Sequence, residues 1–370
     1  MRTNDRVLCA GLASLGGLVI VYAVLGPLVL DVIHFRTSAS GLNQIRGGDL
    51  AALIVVAPSC FAIARLAWRG HPAAPVLALA PAMFAMYTYS QLVLGNEYLH
   101  RPGNVERFFP LLLAMFILAA GVALRCWGLA RPEGLPSSSP RLQRGSGILL
   151  VVMAAFVVLG IHMSSLVDAL RDQPTGAAYL GTPTTFWVIK FYDLGIVVPS
   201  ALIVGIGLLR QQPWARKPAY AILGGYVLLA WSVAGMGWSM LMNGDPDASL
   251  GMAAGMTGLA GAGTVFAYFL YRPLFRTTVV STPSAGAQPE GGARRATVTL
   301  TLAGETVALG STPKRHSRTR LFATWLVPHE LAALGGASFA AMTRPSRRRR
   351  GPAHRQTASA LPREGRRSQS

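Results

Sequence analysis

Residues 184–209 read TTFWVIKFYDLGIVVPSALIVGIGLL, and this stretch decides the fold. Only Lys190 and Asp193 interrupt it with charge. A bilayer hydrocarbon core of about 30 Å needs roughly 20 apolar residues in a helix, and a lipid-exposed backbone must satisfy its own hydrogen bonds. A segment this long and this apolar predicts a transmembrane helix. Working outward, seven further stretches of the same kind occur, giving predicted spans at about 8–31, 50–68, 75–96, 108–128, 147–168, 184–209, 218–242 and 249–271. The connections hold turn-forming residues, as in SASGLNQIRGG (38–48), RPEGLPSSSP (131–140) and NGDPDAS (243–249). The expected fold class is an all-α integral membrane protein with eight transmembrane helices.

Composition agrees. Charged residues make up 13% of the chain and mean hydropathy is +0.41, whereas soluble domains are about a quarter charged. The formal net charge of +19 is unevenly placed: from Arg272 onward sixteen arginines and Lys314 face only Glu290, Glu305, Glu330 and Glu364. Residues 1–272 are therefore expected to form the membrane domain, with 273–370 an Arg-rich, low-complexity and largely disordered cytoplasmic tail. Arg347–Arg350 would draw anionic lipid headgroups. No nucleic-acid partner is expected, because no fold or aromatic platform accompanies the charge. Cys9, Cys60 and Cys126 all fall in apolar segments and read as buried small hydrophobes rather than disulfide or zinc ligands. The arginine bias over lysine suggests GC-rich coding in a bacterium.

Eight spans place both termini on one side. With that side cytoplasmic, Arg2, Arg6, Arg65, Arg69, Arg125, Arg131, Arg141, Arg144, Arg210, Arg216 and Lys217 fall inside. Only Arg36, Arg46, Arg101, Arg107 and Arg171 fall outside. The positive-inside rule thus predicts a plasma (inner) membrane protein with both termini cytoplasmic.

The chain also repeats itself. Ala57-Pro58-Ser59 matches Val198-Pro199-Ser200, and Arg69 and Pro72 match Arg210 and Pro213 at the same offset. Asp49-Leu50 and Asp193-Leu194 lie three residues out of that register. Two units, about 8–128 and 147–271, with four helices each would be parallel repeats about an axis along the membrane normal. The pattern DLAALIVVAP…WRG, then YTYSQLVLGNEY, then FYDLGIVVPSALIVGIGLLRQQPWARKPAY resembles a group of uncharacterised bacterial multi-pass membrane proteins. That resemblance covers about residues 8–271 and implies a fold but no activity.

Ionisable residues in membrane spans are costly and raise functional hypotheses. Most here gather at the predicted outer ends: Asp31 and His34 on span 1, Glu97 and His100 on span 3, His162 and Asp168 on span 5, Lys190 and Asp193 on span 6. Asp31/His34 and Glu97/His100 are spaced i, i+3, so one helix face could offer each pair to a divalent metal. The alternative is that these are ordinary membrane-edge residues in water and headgroups. Lys190 and Asp193, also i, i+3, could neutralise each other. Asp49 and Asp193 could serve as caps near helix starts. Tyr87, Tyr89, Ser90 and Gln91 inside span 3 should face other helices. Gly251 and Gly255 in the last span predict close packing within the bundle.

No phosphate-binding loop, HExxH, GxSxG or Cys/His zinc spacing occurs, so no enzyme signature is present. The expectation is a transporter or a small-ligand- or ion-binding membrane protein with an outward polar site and no assignable cofactor. The alternative is a structural or regulatory membrane protein that transports nothing. Parallel repeats in a transporter predict a cavity between the two halves.

Overall fold

The computed structural model describes residues 5–131, 135 and 139–276. Residues 277–370 of the expected Arg-rich tail, with its basic runs and its headgroup contacts, lie outside them. Among the described residues eight helices are long and apolar enough to cross a membrane: α1 (Arg6–Leu25), α2 (Ala39–Trp68), α3 (Ala74–Leu94), α4 (Val105–Leu129), α5 (Pro140–Ala169), α6 (Pro183–Leu209), α7 (Pro213–Met242) and α8 (Leu250–Phe275). This is a multi-pass, all-helical membrane architecture suited to a lipid bilayer. The described cysteines are free, with Cys60 and Cys126 buried.

Several boundaries differ from the sequence reading, each for a local reason. The first helix stops at Leu25, not residue 31, because Gly26 leaves helical geometry and Pro27 cannot continue the hydrogen-bond ladder. Asp31 and His34 therefore sit on a loop rather than a helix face, with Asp31 at φ +50°. The stretch 38–48, expected as a loop, is the opening of α2: Ser38 caps it by accepting from the Gly41 amide at 3.0 Å. Likewise Ser139 caps α5, accepting from the Leu142 amide at 3.2 Å. The extension of α2 moves Asp49 from a supposed helix start to ten residues inside, about 15 Å along the axis at 1.5 Å per residue, and Asp193 lies equally deep in α6, so neither caps a helix start.

Two helices share an internal design. A π-helical turn, Ala52–Val56 in α2 and Asp193–Val197 in α6, precedes the proline in each. Pro58 and Pro199 have no N–H for the carbonyl four residues earlier, and the widened turn accommodates the missing bond. The following serine repeats too: Ser59 Oγ donates to the Val56 carbonyl at 2.7 Å and Ser200 Oγ to the Val197 carbonyl at 2.9 Å. Both helices then end in the same left-handed turn. The His71 amide reaches the Leu66 carbonyl at 2.9 Å and the Gln212 amide the Gly207 carbonyl at 2.8 Å. The left-handed residue is Gly70 (φ +63°) in one and Gln211 (φ +56°) in the other.

Packing follows this split. In α2 the segment before the π turn lies on α7 and the segment after it on α1; in α6 the first segment lies on α3 and the second on α5. Helices α3 and α4 pair, as do α7 and α8, and α3 meets α7 centrally. One core joins Leu15, Val19, Cys60, Phe84, Leu112 and Met115 of α1–α4. A second joins Leu150, Ala201, Val204, Leu208, Tyr220 and Leu270 of α5–α8. At the α2–α7 crossing the backbones touch: a Cβ on Gly47 would overlap the Gly235 carbonyl, and a Cβ on Gly235 the Gly47 carbonyl.

The last helix is not packed inside the bundle. It is the least buried of the eight, and Gly255, Gly258 and Gly261 would each carry a Cβ into open space. Its contact face is a neighbouring stripe, where Thr257 and Thr264 accept from the Trp238 and Trp231 indoles at 2.9 and 3.0 Å and Ala253 abuts Gly237. The small-residue pattern was present, but the packed stripe is built of alanine and threonine.

Candidate functional site

The eight polar residues predicted at the outer ends do not form one cluster. Asp31 and His34 approach each other at 3.9 Å with both side chains more than half exposed, and His100 is exposed as well. Glu97 is buried but has a structural task. Its two oxygens accept from the Thr184 amide (2.6 Å) and hydroxyl (2.8 Å) at the first turn of α6, satisfying an orphan amide and complementing the helix dipole. Asp168 folds back on the α5–α6 loop, accepting from the Thr175 and Gly176 amides at 3.1 and 2.7 Å. Among the described residues no three His, Cys, Asp or Glu side chains are placed to hold a metal ion. The i, i+3 metal-ligand faces fail because the helices end before Asp31 and Glu97.

The remaining three converge. Asp193 on α6 receives His162 Nε2 of α5 at 2.8 Å on one oxygen and the Tyr87 hydroxyl of α3 at 2.5 Å on the other. Lys190 Nζ lies 3.3 Å from His162 Nδ1 and donates to Ser165 Oγ at 2.9 Å, with the Phe186 ring 3.9 Å from the ammonium. A charged Lys190 facing Nδ1 puts the ring proton on Nε2, where it is donated to Asp193. Lys190 and Asp193 thus do not pair directly, as their spacing suggested; His162 stands between them. His162 and Lys190 are 3% and 6% exposed. Buried charges persist only when paired and hydrogen-bonded, and the chain Lys190–His162–Asp193–Tyr87 meets that condition while joining three helices.

Tyr87 also faces a cavity of about 320 Å³. Its walls come from α3 (Met83, Tyr87), α4 (Phe116), α6 (Tyr192, Ile196) and α7 (Gly225, Tyr226). The space therefore lies between the two halves of the bundle, at the lower end of ligand-pocket sizes. Most of its polar wall groups are already engaged. The Tyr226 hydroxyl donates to the Val197 carbonyl at 3.1 Å, Ser90 Oγ to the Met86 carbonyl at 2.6 Å, and Tyr87 to Asp193. What remains for a ligand is aromatic and aliphatic surface together with the Tyr192 hydroxyl. A Cβ on Gly225 would meet nothing within 4 Å, so a larger side chain there would enter the cavity.

The sequence pointed to Tyr87 only as a polar residue turned toward other helices. It gave Asp49 the wrong setting altogether, since α2 begins eleven residues earlier than the apolar run suggests. No family model matches the chain, and no curated protein or solved structure matches it. The span pattern's resemblance to uncharacterised bacterial membrane proteins thus has no matching family model behind it, and the site is read from its own atoms.

Proposed function

We propose that this chain binds a small, mainly apolar solute in the cavity between its halves and carries it across the membrane. The observation that carries this reading is the position of the cavity, walled by α3 and α4 on one side and α6 and α7 on the other, with Tyr87 linking it to the buried Lys190–His162–Asp193 chain. A solute that moves Tyr87 disturbs the charge network, which couples occupancy to the packing of α3, α5 and α6. The halves themselves are read as parallel repeats, on the strength of the π turn, proline, serine bond and left-handed terminus that recur 141 residues apart. Arginine asymmetry supports an inner-membrane orientation with both termini cytoplasmic, and the Arg-rich tail then meets anionic headgroups.

A structural or regulatory role without transport is the second reading, favoured by the fact that the Tyr87, Ser90 and Tyr226 hydroxyls on the cavity wall are satisfied within the chain. Cysteine accessibility separates the two. With Cys9, Cys60 and Cys126 replaced, Gly225→Cys in membrane vesicles should react with a membrane-impermeant thiol reagent from both faces if the cavity opens alternately. Absence of labelling from either face, in protein that reacts after detergent unfolding, means a closed core and the structural reading.

A further inference from the structure

The first half of the bundle holds a different buried carboxylate. Asp49 is 5% exposed and its Oδ2 has no hydrogen-bond partner. The Tyr22 and Tyr89 hydroxyls, on rings 1% exposed and 5.1 Å apart between centroids, are also unpartnered and lie within electrostatic reach of Asp49. Gly26 opens the space beside the carboxylate: a Cβ there would sit 3.1 Å from Asp49 Oδ2, 3.1 Å from the Tyr22 carbonyl and 3.7 Å from the Ala23 carbonyl. The Ala23 carbonyl belongs to the C-terminal turn of α1, and its usual donor four residues on is Pro27, which has no N–H. Among the described residues no cation is paired with the carboxylate; the Arg46 guanidinium donates instead to the Pro27 carbonyl at 3.2 Å.

One negative charge, two phenol oxygens and the carbonyl end of a broken helix make an all-oxygen set next to a π turn. Hard cations choose oxygen ligands, and helix C-termini interrupted inside a membrane bundle are where monovalent cations are held. Water could satisfy the hydroxyls but would leave the buried charge uncompensated. A proton would neutralise the charge but supplies a single donor, leaving the Ala23 carbonyl and the phenol oxygens with no positive partner. A metal cation can be shared by the carboxylate, the phenol oxygens and the carbonyl at once, and the single negative charge sets its valence. We propose that Asp49, Tyr22, Tyr89 and the carbonyls at the end of α1 form a sodium-binding site. The site shares no residue with the cavity or with the Asp193 network.

The test uses the full-length protein in detergent, at constant ionic strength, with sodium chloride exchanged for N-methyl-D-glucamine chloride. Sodium should raise Tm by several degrees, since a ligand that binds only the folded state stabilises it. Radioactive sodium should bind saturably at about one per chain. Asp49→Asn should abolish both effects, and Tyr89→Phe should weaken apparent affinity by about tenfold while leaving the protein folded. Failure of the native protein to bind sodium saturably overturns the assignment. So does sodium binding that survives in Asp49→Asn, or a Tm that tracks pH identically in both salts. None of these results bears on whether Gly225→Cys is labelled, so this site and the cavity stand or fall separately.

Discussion

Asp193 and Asp49 occupy comparable places and live in opposite circumstances. Each lies deep in a helix that carries a π turn, a proline and the same left-handed terminus. Asp193 has Tyr87 and His162 on its two oxygens and Lys190 beyond, whereas Asp49 Oδ2 has no hydrogen-bond partner, and neither have the Tyr22 and Tyr89 hydroxyls. A carboxylate with built-in partners is part of the framework, while one without them is a place for something the chain does not supply. The difference arises on the partner helices. α5 brings a histidine and α6 itself a lysine, but α1 brings only Tyr22 and a broken C-terminus.

The largest expected effect breaks the framework side of this contrast. Asp193→Ala leaves His162 and Lys190 buried without their counter-charge and should cost about 3–5 kcal/mol. Asp49→Asn in sodium-free buffer removes an uncompensated charge and should leave stability unchanged or raised. Equilibrium unfolding in mixed micelles compares the two; equal losses would erase the distinction between them.

Next in size is the crossing that positions Asp49. Gly47→Ala or Gly235→Ala forces a methyl group into the opposing backbone and should cost about 1–3 kcal/mol. The matched control is Gly255→Ala, where the Cβ meets open space and the thermal midpoint should hold or rise.

The two left-handed termini allow a smaller comparison. Gln211 occupies a conformation that disfavours a side chain by roughly 1–2 kcal/mol, which glycine avoids. Gln211→Gly should raise stability by about 1 kcal/mol, and Gly70→Gln should lower it by a similar amount. A null result in both would mean that the turn is held by its neighbours rather than by local preference.

The smallest effect concerns Asp245, on the turn between α7 and α8. Burial alone would push its pKa up, but hydrogen bonds from Asn43 (3.0 Å), the Asp247 amide (3.0 Å) and Ser40 outweigh this and hold it below the ordinary 3.8. A carboxyl lowered on folding contributes stability above its unfolded pKa and loses it as pH falls through the folded value. Thermal midpoints should therefore decline at the acid end, and Asn43→Ala should flatten that decline.

The sequence revealed the eight spans because apolar length is a one-dimensional property that lipid enforces directly. Helix starts were poorly legible for the converse reason. Residues 38–48 are too polar to read as membrane helix, yet they become the first turns of α2 because Asn43 bonds Asp245 on the α7–α8 turn and Gly47 packs on Gly235 of α7. Of the candidate residues, His162, Lys190 and Asp193 were identifiable from their charge within apolar stretches. Their connection to Tyr87, 106 residues away from Asp193, depends on which helices pack together. Glu97 and Asp168 show the limit of such reading: the same residue types at the same depth act as a helix cap and a loop tie.

The π turns have a consequence for how one helix serves two neighbourhoods. Inserting a residue into a helix turns everything before it by about 100° relative to everything after it, since 3.6 residues complete a revolution. The upstream and downstream segments of α2 are thus out of phase, so that a single rod addresses α7 with its first half and α1 with its second; α6 does the same for α3 and α5. Deleting one residue within 52–56 or 193–197 would bring each rod back into phase and swing Asp49 or Asp193 away from its neighbours. The chain's two halves are stitched together by this offset, and Asp49 and Asp193 sit at its edge.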